Sequence, residues 1–189
     1  MVPCFALPFR FSPDRLLADL GLVRDDEWVR HFNKSVYEGE WSGVALRSVG
    51  GKSRQLYTHP DARDALAGTD VLSRCAYFQE VLAEFQCPLI TVRLLKLKAR
   101  SSIKRHQDFN LGYEDGEVRL HVPIITDPRV EFYVDEQLVP MQVGECWYTN
   151  VNLTHHVENA ADIDRVHLVI DCVVNEWLDA YFAPRVGAK

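Results

Sequence analysis

The spacing of hydrophobic residues changes near the middle of the chain. In the first half, apolar residues recur every three or four positions, a period typical of amphipathic helices. A first helix is predicted to begin after Ser12, a favoured N-cap residue, and to end before Gly21. A second is predicted over residues 71–85 and a short closing helix over residues 175–182. Glycines mark a loop-rich or short-stranded stretch between the first two.

From Leu89 onward the pattern changes to short runs rich in β-branched residues, separated by turn signals such as Asp115-Gly116. Many short strands at regular spacing predict a β-sandwich or barrel. The predicted strands cover residues 89–98, 117–125, 130–134, 143–148 and 166–174. We expect one domain with a helical and loop-rich N-terminal part (1–88), a β core (89–174) and a C-terminal helix and tail (175–189).

A candidate metal site lies at the start of this β-rich region. His106 and Asp108 form an H-x-D pair, and side chains two apart in an extended strand point to the same side. With His155 from a facing strand they make the 2-His-1-carboxylate set of non-haem Fe(II) oxygenases. Such a set leaves coordination positions open for a co-substrate and O2. A surface pair in a loop is the alternative for the tripeptide alone. Together with the strand pattern, the set predicts a double-stranded β-helix, a jelly-roll or cupin-like core flanked by N-terminal helices.

Four further motifs accompany the pair. They are Arg119–His121, Gly144–Trp147, His155–Asn159 and Arg165–Asp171. In this order the five motifs resemble the aspartyl/asparaginyl β-hydroxylase family of Fe(II)/2-oxoglutarate-dependent dioxygenases, over about residues 89–172. The resemblance implies Fe(II), 2-oxoglutarate and O2 as cofactors and co-substrates. The animal peptidyl branch lacks the H-x-D carboxylate, whereas this chain has it, like the bacterial members. A peptidyl substrate is therefore not carried over from that branch.

The resemblance also implies the third metal ligand. His155 and His156 are adjacent, so in a strand they face opposite sides, and only one can join the pair. The family motif falls on His155. His121 as a third ligand is a minor alternative.

The resemblance assigns three residues to the co-substrate. Arg165 would hold the distal carboxylate of 2-oxoglutarate, and Arg119 and His121 would contact the carboxylate beside the keto group. A guanidinium suits this task because it binds a carboxylate through two hydrogen bonds. The alternative for Arg165 is a structural salt bridge to Asp171 or Glu145. The alternative for Arg119 is a solvated charge at the sheet edge.

Residues upstream of the motifs are candidates for binding the substrate, because loops over a rigid barrel commonly do so. They are Trp41, Arg47, Arg54, Tyr57 and Arg93. Each arginine can equally be a solvated surface charge. Trp147 is expected to pack in the core, Asn159 to fix a local turn and Asp171 to orient a neighbour. His31 and His59 have no partner pattern and are interpreted as structural or surface residues.

The amino-acid composition limits the class of protein, its partners and its expected location. Of 189 residues, 47% are hydrophobic and 25% charged, as in an ordinary globular protein. The formal net charge of −6 argues against nucleic acid as a partner, because phosphate binding needs clustered Lys and Arg. Five scattered cysteines suggest reduced thiols rather than a disulfide framework. No membrane-spanning run or signal peptide is visible, so we expect no membrane partner and a cytoplasmic protein.

The predicted activity is therefore a hydroxylase that inserts one oxygen of O2 into a C–H bond of an amino acid or amino-acid residue, with 2-oxoglutarate converted to succinate and CO2. The substrate can be a free amino acid or a peptide, and the oligomeric state is open. Competing hypotheses are a cupin-like metal-binding protein without oxygenase activity (an isomerase or sensor), a peptidyl aspartyl/asparaginyl hydroxylase, and a non-catalytic β-sandwich interaction module.

Overall fold

The computed structural model describes residues 1–57 and 60–186, except for the side chains of residues 60 and 61. The predicted mostly β class is confirmed. The strands are β1 (Cys4–Arg10), β2 (Val29–Arg30), β3 (Tyr37–Glu38), β4 (Trp41–Val49), β5 (Leu66–Gly68), β6 (Leu89–Leu97), β7 (Ser101–His106), β8 (Glu117–Ile125), β9 (Val130–Val134), β10 (Gln137–Leu138), β11 (Glu145–Thr149), β12 (His155–Asn159) and β13 (Arg165–Val173). The helices are α1 (Pro13–Leu20), α2 (Asp70–Arg74), α3 (Ala76–Ala83) and α4 (Glu176–Val186). Short 3-10 turns cover Asp25–Glu27, Lys34–Val36, Pro60–Ala65 and Tyr113–Asp115.

The strands form two antiparallel sheets. The large sheet has the order β1-β11-β8-β13-β6-β4-β2, with β5 paired to β4, and the small sheet has the order β10-β9-β12-β7-β3. One apolar core lies between the sheets, where Leu95 and Leu97 of the large sheet join Ile103, Phe132 and Val157 of the small sheet. A second core lies between the large sheet and the helices. The candidate site residues belong to the space between the sheets.

Strand β13 shows how the sequence separates the two sides of the large sheet. Val166, Leu168 and Ile170 are buried in the core beneath the helices. The residues that alternate with them include Arg165 and His167, which point to the opposite face, toward the small sheet. Both faces of this strand are buried. The polar residues on its inner face therefore need partners inside the protein.

The helix predicted over residues 71–85 is divided. It forms α2 and α3, with a break at Cys75, whose φ and ψ are −104° and 83°. The carboxylate of Asp19 accepts a hydrogen bond from the backbone N–H of Phe78 at 2.8 Å, at the start of α3. Hydrophobic spacing did not reveal the break, because the buried carboxylate that supports it comes from α1, 59 residues away in sequence.

The N-terminal part contributes more strand than predicted. Trp41–Val49 forms a nine-residue strand inside the large sheet, and Cys4–Arg10 pairs with β11 at its edge. The sheets therefore include strands outside residues 89–174. Both faces of β4 are buried, so it lacks the alternation of apolar and polar residues by which a half-buried strand is recognised. The first helix is confirmed, with Ser12 as its N-cap, and the closing helix extends to Val186. No helix in the described residues is long and apolar enough to span a membrane.

Gly144 occupies a turn position where an added side chain would meet backbone atoms. Its φ is +79°, and a Cβ at this position would lie 2.3 Å from the carbonyl oxygen of Phe11. Gly116 has a similar φ of +81°, but a Cβ there would meet nothing within 4 Å. We expect Gly144→Ala to destabilise the protein by more than the roughly 1–3 kcal/mol of a strained backbone, and Gly116→Ala to cost only that strain. Urea unfolding of both variants measures the difference, and equal losses would contradict the clash at Gly144.

Candidate functional site

Three side chains capable of binding a metal converge between the sheets. One ligand atom from each of His106, Asp108 and His155 lies within 4.8 Å of the other two. His106 ends β7 and His155 begins β12, and the two residues are paired across these neighbouring strands. Their ring centroids are 4.2 Å apart. The hydrogen-bonding register of the small sheet thus brings the two imidazoles together.

Backbone carbonyls fix the orientation of both imidazole rings. Nδ1 of His106 lies 2.7 Å from the carbonyl oxygen of Lys104, and Nδ1 of His155 lies 3.0 Å from that of Leu153. Nδ1 must donate in these contacts, which leaves Nε2 of each ring as the nitrogen available to a metal. Burial, followed by the neighbouring His106, lowers the pKa of His155 to about 4. His155 is therefore neutral, the form that binds a metal.

Asp108 reaches the cluster from outside the strand. It lies two residues beyond the end of β7, so strict alternation along an extended strand does not explain its position. Its backbone N–H donates to the carbonyl oxygen of Val151 at 2.9 Å, and Arg119 donates to Oδ2 of its carboxylate. Burial opposes ionisation of this carboxyl, but the charge of Arg119 and the neighbouring His155 and His106 together leave its pKa below the usual value. Asp108 is thus held ionised beside the two histidines.

Arg165 lies in the wall of the same pocket. It is 2% exposed, and burial lowers its pKa to about 9. No described carboxylate lies within ion-pair distance of it, so the alternative of a salt bridge to Asp171 or Glu145 is wrong. Asp171 instead pairs with Arg93 and Arg119, and Glu145 pairs with Arg10. A buried guanidinium without a counter-ion is costly and suits an anionic ligand.

Two buried histidines accompany Arg165. Its Nη2 lies 2.9 Å from Nδ1 of His167, which in turn lies 3.4 Å from Nδ1 of His121. The guanidinium can only donate, so Nδ1 of His167 accepts and its proton resides on Nε2. Among the described residues, Nε of Arg165 and Nε2 of both histidines are buried without a partner. Burial, then the charge of Arg165, holds the pKa of each histidine well below its usual value.

These groups line one pocket of about 400 Å³ including its open mouth. The large sheet contributes Trp41, Leu95, Arg119, His121 and Arg165, and the small sheet contributes Ile103, His106, Phe132, His155 and Val157. The pocket therefore combines three potential metal ligands, an unpaired guanidinium and apolar side chains. Metal ligands, an arginine and a mostly apolar lining are the components of a site for a small anionic chelator.

The sequence profile of the aspartyl/asparaginyl beta-hydroxylase family matches residues 17–174. The chain belongs to this family. The match includes the motif residues from His106 to Asp171 and reaches far into the N-terminal part.

Solved structures confirm the jelly-roll architecture of this family member. A 2OG-Fe(II) oxygenase family oxidoreductase from Burkholderia pseudomallei is 14% identical, with a TM-score of 0.55 over 92% of this chain and 88% of that chain. HygX from Streptomyces hygroscopicus, solved with nickel and 2-oxoglutarate bound, is 13% identical, with a TM-score of 0.55 over 92% and 84%. SnoN, an alpha-ketoglutarate-dependent epimerase from nogalamycin biosynthesis, is 16% identical, with a TM-score of 0.54 over 89% and 76%. The chain has the 2OG-Fe(II) oxygenase type of fold.

A buried network of ion pairs connects Asp108, one of the three potential metal ligands, to Asp171 and Arg93. Arg119 donates to Asp108 through Nη1 and to Asp171 through Nε, at 2.7 Å, and Nη2, at 3.1 Å. Asp171 also accepts from Arg93 and, at 2.8 Å, from the hydroxyl of Thr91. Burial opposes ionisation of Asp171, but Arg119 and Arg93 hold its pKa far below the usual value. Arg119 is thus not a solvated edge charge.

The far side of this network lines a second pocket of about 690 Å³, open to solvent. Arg119 lines both pockets, so they meet at this residue. Among the described residues, the second pocket is lined by Tyr57, Arg63, Ile90, Thr91, Arg93, Phe109, Asn110, Leu111, Glu117, Arg119 and Asp171. The pocket thus combines an ionic group, Arg93, Arg119 and Asp171, with four apolar or aromatic side chains, Tyr57, Ile90, Phe109 and Leu111.

The predicted substrate-binding residues occupy different places. Trp41 lines the first pocket, and Tyr57 and Arg93 line the second. Arg47 donates to the carbonyl oxygen of Leu89 at 3.1 Å, and the exposed Arg54 donates to that of Asp26 at 2.9 Å. Neither is among the described residues that line these two pockets.

Three residues outside the ligand cluster, His156, Asn159 and Trp147, have the surroundings expected from the sequence. His156 lies outside the ligand cluster and stacks on Tyr133, with ring centroids 4.8 Å apart. The Nδ2 atom of Asn159 donates to the carbonyl oxygens of Leu97, Lys98 and Ile163, which fixes the turn before β13. Trp147 is half-buried, packs against the core between the sheets and donates from its indole to Glu145 at 2.7 Å. Residues 58 and 59, including His59, lie outside the described residues.

Sequence reasoning missed the aromatic cluster beside the first pocket. His31 is buried and stacks on Trp41, with ring centroids 3.8 Å apart and planes within 9°. Phe32, Tyr37 and Tyr57 surround it. Burial lowers the pKa of His31 to about 4. The density of aromatic residues between positions 28 and 57 was a visible signal, but nothing in the sequence brought it near His106.

Proposed function

We propose that the chain is a 2-oxoglutarate-dependent Fe(II) hydroxylase of an amino acid or amino-acid residue. The observation that carries the proposal is the placement of a buried, unpaired Arg165 in the same pocket as His106, Asp108 and His155. A metal cluster alone fits any cupin-like metal-binding protein. A guanidinium without a counter-ion that lines the same pocket as three potential metal ligands fits a chelating dicarboxylate co-substrate.

The ligand set fits Fe(II). Two Nε2 lone pairs and one carboxylate are the donor types of the facial triad, and the carbonyl contacts at Nδ1 hold the rings in the binding tautomer. When bound, Fe(II) and 2-oxoglutarate supply the oxidation: O2 and 2-oxoglutarate give succinate and CO2, and one oxygen atom enters a substrate C–H bond as hydroxyl.

The protein's own residues hold and orient the reactants. Arg165 binds the distal carboxylate of 2-oxoglutarate, and the neutral His167 keeps the guanidinium directed toward the pocket. Arg119 fixes the Asp108 carboxylate through Oδ2 and retains N–H groups for the carboxylate beside the keto group, together with His121. Apolar residues from both sheets, including Leu95 and Phe132, limit the access of water.

We also propose the setting of this activity. Five described cysteines are free thiols, four of them buried, which supports a reducing, cytoplasmic environment. The net charge of −6 supports a small molecule or peptide as the partner rather than nucleic acid.

The test is succinate formation from 2-oxoglutarate by purified protein with Fe(II) and O2, first without and then with each common amino acid and short peptide. Formation of succinate that requires Fe(II) supports the proposal. Tight Fe(II) binding without any turnover or binding of 2-oxoglutarate would favour a metal-binding protein without oxygenase activity.

His167 offers a prediction about the co-substrate site. His167→Leu removes the acceptor for Arg165, which costs about 1–3 kcal/mol, so the dissociation constant for 2-oxoglutarate should rise about tenfold. His167→Asn should restore most of the affinity, because its amide oxygen can occupy the place of Nδ1. Titration of 2-oxoglutarate into the Fe(II)-loaded protein under argon measures both. Equal losses in the two variants would indicate a packing role only.

A further inference from the structure

The second pocket has the chemistry of a substrate site. We propose that it binds a monocarboxylate with an apolar body, the carboxylate against Arg93 and Arg119 and the apolar part between Tyr57 and Phe109. The proposal rests on the proposed function, because it takes the pocket that adjoins the metal ligands as the place from which a substrate reaches them.

The charge of the site supports a singly charged anion. Four arginines, Arg63, Arg93, Arg119 and Arg165, and three carboxylates, Asp108, Glu117 and Asp171, are the charged residues described in the walls of the two pockets. The two charges of Fe(II) and the two of 2-oxoglutarate cancel. One positive charge remains, which the carboxylate of a ligand neutralises.

With Asp108 assigned to Fe(II) and Arg165 to 2-oxoglutarate, the remaining positive charge lies in the second pocket. Asp171 is shared between Arg93 and Arg119, so two guanidinium groups face one carboxylate there. Arg63 and Glu117 form a separate pair at the rim. Arg93 is 3% exposed, and its Nε is buried without a partner among the described residues. The Arg93 guanidinium therefore has unused hydrogen-bonding capacity in this pocket.

The walls favour an apolar body. Phe109 is 76% exposed and Tyr57 is 39% exposed, unusual values for large aromatic side chains, and both line this pocket with Ile90 and Leu111. Tyr57 also lies over the guanidinium of Arg93, with 5.7 Å from its Cζ to the ring centroid. Arg119 of this pocket contacts the Asp108 carboxylate, so a ligand that contacts Arg119 lies beside the candidate metal ligands.

The test compares ligands that differ in one property. Calorimetric titration under argon, with Fe(II) and 2-oxoglutarate present, would use 3-phenylpropanoate, its neutral amide, propanoate and phenyl phosphate. We expect 3-phenylpropanoate to bind at least about tenfold more tightly than each of the others, because only it offers one charge and an apolar body. Equal binding of the amide would overturn the anion site, and equal binding of propanoate would overturn the apolar walls. A preference for the phosphate would overturn the monoanion.

Substitutions of residues that line the second pocket test whether the ligand binds there. Arg93→Met should reduce the preference for 3-phenylpropanoate over the amide by about tenfold or more, and Arg93→Lys should keep part of it. Phe109→Ala, at an exposed position, should weaken binding of 3-phenylpropanoate and leave propanoate unchanged. Arg30→Met is the matched control at an exposed arginine.

The outcomes distinguish this inference from the proposed function. If Arg93→Met fails to fold, Phe109→Ala and the comparison of ligands in the unaltered protein still test whether the second pocket binds the carboxylate. Intact 2-oxoglutarate binding without the predicted preferences refutes this inference alone, whereas loss of 2-oxoglutarate binding in the unaltered protein refutes the proposed function.

Discussion

Replacing His106 or His155 by alanine is expected to abolish Fe(II)-dependent succinate formation. Each change removes one of two imidazoles whose Nε2 lone pairs are held toward a common point. Two remaining ligands cannot maintain a facial site, and loss of even a residue that orients a ligand typically costs 10–100-fold in metal affinity or activity. Iron content after desalting and the initial rate of succinate formation measure the effect.

His156→Ala is the matched control. It removes a neighbouring imidazole that stacks on Tyr133 outside the ligand cluster, so iron content and turnover should stay near those of the unaltered protein. An inactive His156 variant together with an active His155 variant would show that the third ligand is assigned to the wrong histidine.

Arg165→Ala is expected to raise the 2-oxoglutarate requirement severely while leaving Fe(II) binding largely intact. The variant would leave one carboxylate of the bound co-substrate without its partner in a buried pocket, at a cost of about 2–5 kcal/mol. That corresponds to a loss of affinity of about thirtyfold to a few thousandfold.

Arg165→Lys separates charge from geometry. Lysine restores the positive charge but cannot form the two parallel hydrogen bonds of a guanidinium, so it should recover only part of the affinity. A 2-oxoglutarate dependence that is unchanged in Arg165→Ala would refute the assignment of Arg165, whatever the effect on stability.

The grouping of the three potential metal ligands could be predicted because their residue types are rare in combination and their motif order is distinctive. His106, Asp108 and His155 follow from the sequence, as does the presence of Arg119, His121 and Arg165 near them. The physical basis of the Asp108 position could not be predicted. It depends on a backbone hydrogen bond to Val151, which lies 43 residues away in sequence, and on Arg119, rather than on strand alternation.

The surroundings of the site were harder to predict because they depend on long-range pairing. Arg93 becomes a buried pocket residue because β6 pairs with β13, where Asp171 supplies its counter-ion. The pairing of β4 with β6 shifts register between Ala45, which pairs with Arg93, and Arg47, which pairs with Val92. Arg47 donates to the backbone carbonyl of Leu89 and is not among the described residues that line either pocket. His31 meets Trp41 only through the pairing of β2 with β4. No local spacing encodes these contacts.

The three potential metal ligands come from separate elements of the fold, so metal binding is coupled to folding. His106 and His155 meet only when β7 pairs with β12, so the unfolded chain holds no preformed three-ligand site. A metal that binds the folded state alone stabilises it by mass action, by about 2.7 kcal/mol at a free concentration one hundred times its dissociation constant. The rise in unfolding temperature therefore ranks divalent metals by affinity without any turnover assay. Because it requires neither O2 nor a substrate, this ranking can be made before the natural substrate is identified.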